Sequence, residues 1–138
     1  MKITVSTLVA APIESVWRAY VSPEDIKQWN AASADWHTTA ATVDLRVGGT
    51  FSSRMEAKDG SFGFDFAGEY TLVDPPHRLA YVFGERSADV EFTPTAGGVL
   101  VTILFDPETE HPEEAQRAGW QSILDNFARY VVARHKAH

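Results

Sequence analysis

Residues 101–131 read VTILFDPETEHPEEAQRAGWQSILDNFARYV, and the hydrophobic period changes once inside this stretch. Val101, Ile103 and Phe105 recur at every second residue, the spacing of a strand with one buried face. Asp106-Pro107 ends that run. Beyond Pro112, the residues Trp120, Ile123, Leu124, Phe127, Tyr130 and Val131 step by threes and fours onto one helical stripe. Glu108, Glu110, Glu113 and Glu114 crowd the start of this segment, while Arg129, Arg134, His135 and Lys136 crowd its end. Both biases complement the helix dipole. The spacing predicts a helix over 112–135, roughly 36 Å long at about 1.5 Å per residue. That is enough to cross a whole sheet.

Upstream, from Thr38 to Asp106, the chain alternates strands with turns. Gly48-Gly49, Lys58-Asp59-Gly60, Asp74-Pro75-Pro76, Gly84-Glu85-Arg86 and Ala96-Gly97-Gly98 punctuate it. Connections this short make antiparallel neighbours. Phe62, Phe64, Phe66, Tyr70 and Leu72 share one strand parity, opposite Asp65, Glu69 and Thr71. Tyr81 pairs in parity with Phe83, Val90 with Phe92, and Phe51 with Met55. The sheet should therefore have one aromatic and one polar face. Seven of the eight Phe fall on the inward set, and Phe127 lies on the last helix. Arg54 with Asp65 or Glu69 reads as a cross-strand ion pair on the polar face.

At the N-terminal end, Ile3, Val5, Thr7 and Val9 mark a first strand by their period of two. Ile13, Val16, Trp17 and Tyr20 then form one helical face, with Pro12 at the first helical position after a poor cap, Ala11. Ser22-Pro23-Glu24-Asp25 starts a second short helix, with Ser22 able to cap it, that runs out near Trp29-Asn30. Residues 31–37 show neither period. Helices at the two ends of an antiparallel run argue an α+β fold, a strongly curved sheet with one long helix across its concave side. Residues 1–138 read as a single domain without repeats or linkers.

Composition narrows the function. The 44% hydrophobic content supports a core without disulfides. The absence of cysteine excludes thiolate metal sites and cysteine nucleophiles, and suits a reducing compartment. A net charge of −7 repels phosphate backbones and anionic lipid, so neither nucleic acid nor a membrane is expected as a partner. No apolar run approaches the roughly 20 residues of a membrane span, and the alternating polarity of Met1–Ser6 is not that of a signal peptide. A cytoplasmic location is expected.

Four stretches resemble the family named after the activator of the heat-shock protein 90 ATPase. Asp44-Leu45-Arg46-Val47-Gly48-Gly49-Thr50-Phe51 is similar to its strand-turn-strand, and Ser22–Trp29 to its second helix. Gly68–Leu79, containing Asp74-Pro75-Pro76, resembles its central strand and turn, and Ala118–Phe127 its C-terminal helix. The match runs in order along nearly the whole chain. It departs at Trp29-Asn30-Ala31-Ala32-Ser33, where the family commonly has paired tryptophans. The resemblance implies a helix-grip (START and Bet v 1-like) fold, with six to seven strands wrapped around the long helix. It also implies a cavity for apolar or amphipathic small molecules. The eponymous co-chaperone makes much of its chaperone contact through a further N-terminal domain, so the family name is not itself taken as a function.

On that architecture the binding site is expected between the helix and the aromatic face. Trp120, Leu124 and Phe127 would form the helix wall. Phe51, Met55, Phe64, Phe66, Tyr81 and Phe83 would form the sheet wall by parity. Trp29, Trp36 and His37 would form the rim, in the least regular segment of the chain. If that segment is extended, Asp35 and His37 point the same way, a pairing that can orient a base. The bland alternative is a loop held by local hydrogen bonds. Ser33 lacks a glycine-flanked nucleophile elbow. His77, His111, His135 and His138 form no metal-binding pair by spacing, and no metal or cofactor is expected. Gly119 reads either as close packing of the helix on the sheet or as room for a ligand beside Trp120. The leading function is small-molecule binding. A cavity enzyme of cyclase or lyase type and a chaperone-associated interaction module are the alternatives.

Overall fold

Strand alternation and helical period resolve into a curled seven-stranded antiparallel sheet that grips one long helix. The computed structural model describes residues 2–137, so Met1 and His138 lie outside the described residues. The elements run β1 (Ile3–Val9), α1 (Ile13–Val21), α2 (Pro23–Trp29), β2 (Trp36–Val43), β3 (Thr50–Ala57), β4 (Gly63–Asp74), β5 (Arg78–Phe83), β6 (Arg86–Thr95), β7 (Gly98–Phe105) and α3 (Glu113–Ala137). The sheet order is β1-β7-β6-β5-β4-β3-β2. Consecutive strands are neighbours except at one place. There β1, first in sequence, pairs with β7, with Ile3 opposite Phe105 and Val9 opposite Val99. The two helices between β1 and β2 span the sheet from one edge to the other. This is the α+β helix-grip architecture.

The core follows the expected parity. Ile3, Val5 and Val9 of β1 meet Val99, Val101, Ile103 and Phe105 of β7, all buried. Val90 and Phe92 of β6 continue the same layer. Val16 and Trp17 of α1 close it from above, with the Trp17 ring edge-on to Phe92 at 5.3 Å. Leu124, Phe127 and Val131 form the buried stripe of α3.

Several local readings change. Pro12 is itself the cap of α1, and the helix starts at Ile13. Ser22 makes no side-chain cap on α2. It serves as C-cap of α1 and N-cap of α2 through its backbone instead, donating to the Arg18 carbonyl and accepting from the Ile26 N–H. The irregular stretch is shorter than expected, because Trp36 and His37 already belong to β2. Register shifts between Thr38 and Ala40 and between Tyr70 and Leu72 mark two β-bulges. An extra residue in one strand reverses parity beyond it. Leu72 therefore leaves the inward set, and Val73 packs against the core opposite Leu79. Phe62 leaves it as well. It precedes β4 in the β3–β4 hairpin and is 61% exposed. On the convex face Arg54 pairs with Glu56 at 3.0 Å and Asp65 at 3.7 Å, and not with Glu69. No helix among the described residues is long and apolar enough to cross a membrane.

Candidate functional site

Two aromatic contacts fix α3 over the sheet. Near its N-terminal end, Trp120 lies flat on Phe105, with ring centroids 3.9 Å apart and planes 8° from parallel. Two turns on, Phe127 is held edge-on by Trp29 at 4.9 Å and by Tyr20 at 5.4 Å. Trp29 is fixed in turn, its Nε1–H donating to the Ala19 carbonyl at 2.8 Å. Beneath the helix, Phe51 stands among Tyr81, Tyr70 and Phe66 at 4.9, 5.1 and 5.8 Å. These rings brace one another in tilted and edge-on pairs, which pack less densely than interdigitated aliphatics. Between them and α3 lies a cavity of about 300 Å³.

Its walls are mainly apolar, with a few polar groups from Asn30, Thr42, Ser53 and three tyrosines. Burial pushes the Tyr70 phenol up to about 12 and is also the main cause of higher values for Tyr20 and Tyr81. Neighbouring phenols add to the rise for Tyr20 and Tyr81. These groups stay protonated near neutral pH and act as hydroxyl donors or acceptors. The inner cavity is lined by no carboxylate, imidazole or lysine among the described residues. Its one cation is Arg86, at the start of β6 opposite Phe83 of β5. Arg86 Nε–H donates to the Asp106 carbonyl at 3.0 Å, and the guanidinium carbon lies 4.7 Å from the centre of the Phe83 ring.

A second cavity of about 360 Å³ abuts the first, sharing Met55, Phe64, Arg86, Trp120 and Ile123. Its outer wall joins Ala32 and Trp36 to Glu108, His111, Ala115, Gln116 and Gly119 at the start of α3. Gln116 secures that approach, donating to the Glu108 and His111 carbonyls and accepting from the Glu108 N–H. The His111 ring and backbone N–H both meet the Glu108 carboxylate at 2.7 Å. Partial desolvation raises the Glu108 pKa, but the His111 bonds and the Arg86 charge bring it to a net lower value. Glu108, Glu110 and His111 place potential ligand atoms within 4.8 Å of one another on the surface. Gly119 does not pack closely on the sheet: a Cβ there would meet nothing within 4 Å.

Of the residues read from the sequence, Trp29, Phe51, Met55, Phe64, Phe66, Tyr81, Trp120 and Leu124 line the inner cavity, and Trp36 lines the outer one. Phe83 and Phe127 stand behind the wall, buried in the core. His37 does not reach the rim. Alternation along β2 turns Trp36 and Thr38 inward and His37 outward, opposite Glu56 on the convex face. Asp35 lies in the preceding turn, and the pair that could orient a base is not formed. The sequence reading missed Tyr20, Tyr70 and Arg86. Both tyrosines lie on apolar faces that read equally well as core. Arg86 follows a glycine turn and reads as loop, although the parity of Val90 and Phe92 extended back by four residues places it inward.

A family model described as Activator of Hsp90 ATPase homolog 1-like protein matches residues 10–132. The solution structure of an AHSA1-like protein from Aeromonas hydrophila is similar over 97% of this chain and 94% of its own. It has 52% identity and a TM-score of 0.92. A solution structure of a Cytophaga hutchinsonii protein shows 42% identity over 99% of this chain and 96% of its own, with a TM-score of 0.83. A Nitrosomonas europaea protein, at 23% identity over 97% of this chain and 96% of its own and a TM-score of 0.84, shares the fold. No curated protein matches. With this fold and these matches over almost its whole length, the chain belongs to the Activator of Hsp90 ATPase homolog 1-like family.

Proposed function

We propose that the chain binds an apolar or amphipathic small molecule between the concave sheet face and α3. The observation that supports this most directly is an aromatic-walled space of about 300 Å³ bordered by a fully packed core. Phe105 and Phe127, packed against Trp120 and Trp29 of its wall, are wholly buried. Small-molecule sites have this character, roughly 300–1,000 Å³ with apolar walls and a few placed polar groups. A cyclase or lyase reading needs a proton-transfer group in the cavity, and the high phenol pKa values leave the inner cavity without a ready base at neutral pH. An interaction-module reading needs a contiguous apolar convex face. That face carries Arg54, Glu56, Asp65, Arg78 and Asp89 in ion pairs, which favours the cavity.

Titration of Nile red against the wild type, Phe66→Asp and Ser53→Leu tests the reading. The first variant places a charge in the wall and the second fills the space beside Phe66. Wild type should bind, and each variant that retains its circular dichroism spectrum should lose about tenfold or more in affinity. Unchanged binding by folded Phe66→Asp would place the ligand elsewhere.

A further inference from the structure

The two cavities meet at one cationic side chain. Arg86 is the only lysine or arginine lining either of them among the described residues. Its position is dictated by register: Arg86 pairs with Phe83, and both continue the concave face of Ala88, Val90 and Phe92. The side chain is held rather than mobile. Its Nε–H is committed to the Asp106 carbonyl and its plane is supported by the Phe83 ring. The terminal nitrogens carry no ion pair among the described residues. Glu108, the acidic group on the outer wall, is already engaged by His111. Glu108 lies near enough to feel the Arg86 charge but makes no ion pair with it, which leaves the terminal guanidinium donors free toward the cavities, and a planar fork of donors matches a carboxylate.

We infer that Arg86 is the head-group site of the cavity, and that the ligand is a small carboxylic acid with an apolar, ring-bearing body. The carboxylate pairs with the free edge of Arg86 where the cavities join, and the body lies against Phe51, Phe66, Tyr81 and Trp120. This rests on the cavity-binding reading and adds the chemical class of its ligand. The surface potential of an acidic chain opposes anion capture. Selectivity for an acid must therefore come from this local cation.

Calorimetric titration with 1-naphthoate and 1-naphthamide, equal in shape and different in charge, tests the assignment. Wild type should bind the acid about tenfold or more tightly than the amide. Arg86→Met should remove that preference by weakening the acid and leaving the amide within about twofold. Arg86→Lys keeps the charge without the fork and should retain a reduced preference. It also serves if Arg86→Met fails to fold. Equal affinity of wild type for acid and amide overturns the role of Arg86 and leaves cavity binding standing, provided Phe66→Asp abolishes both. Parallel loss of acid and amide in folded Arg86→Met also overturns it. Binding of neither compound by wild type overturns the inference together with its ring-bearing ligand. The Nile red titration then decides separately whether the cavity binds at all.

Discussion

Phe127 and Trp120 project from the same stripe of α3 and differ in what surrounds them. Phe127 has 0% exposure and is enclosed by Tyr20 and Trp29. Trp120 has one face on Phe105, lies 6.3 and 6.0 Å from the Phe66 and Phe83 rings, and lines both cavities. Phe127→Ala should cost about 3–5 kcal/mol, the usual range for a large ring removed from a packed core. Trp120→Ala should cost clearly less, because the ring also borders open space and water can enter what it leaves. Urea midpoints at unchanged slope measure both, and equally large losses would identify Trp120 as solid core. The aromatic walls were legible because parity and helical period assign a face to each ring. Arg86 was not, because a charge beside Gly84-Glu85 reads as turn. His37 was misplaced because residues 31–37 carry no period, so nothing in them shows that β2 already begins at Trp36 and that alternation turns His37 outward.

At the scale of elements, residues 44–50 show what the family-like motif does. Asp44 N–H donates to the Thr50 carbonyl, Gly49 N–H to the Arg46 carbonyl, and the Arg46 side chain returns to the Asp44 carboxylate at 2.9 Å. The turn also docks on β4: Gly48 N–H donates to the Tyr70 carbonyl and Tyr70 N–H to the Gly49 carbonyl. It thereby anchors a tyrosine of the cavity wall. Gly48 has φ of 86°, and a Cβ on Gly49 would stand 2.1 Å from the Asp44 carbonyl oxygen. Gly49→Ala should destabilise by about 1–3 kcal/mol or more, read from the thermal midpoint. Gly119→Ala should do the reverse. With open space around its Cβ, alanine regains up to about 1 kcal/mol of helix propensity and raises the midpoint by a few degrees. A fall in the midpoint would mean that the open space beside Gly119 is needed for folding. Element order and type were readable because turns and periods are local signals. The two bulges, at Thr39 and Thr71, were not, since strand curvature selects them and no residue type announces them.

Over the whole molecule, three phenols buried together make stability depend on alkaline pH. Each has a folded pKa above its ordinary value of 10.0, so the unfolded chain releases these protons first. Their contribution is complete below about pH 10 and is lost as pH rises through about 12, where Tyr70 titrates. Urea midpoints should fall from about pH 9 to about pH 11, and Tyr81→Phe should flatten the fall. An equally steep fall in that variant would show that Tyr81 is not among the groups responsible. The pairing of β1 with β7 has a different consequence, in the time domain of synthesis. Ile3 cannot meet Phe105 until about a hundred further residues have been made. At roughly 5–20 residues per second, β1 waits on the order of 5–20 s with its apolar face unpaired. Its two neighbours in the finished fold, β7 and α3, come after every other described element in chain order, and Gln121 Nε2–H then closes on the Ser6 carbonyl. Closure of the sheet thus waits on β7, and β1 is the segment most in need of shielding until that strand arrives.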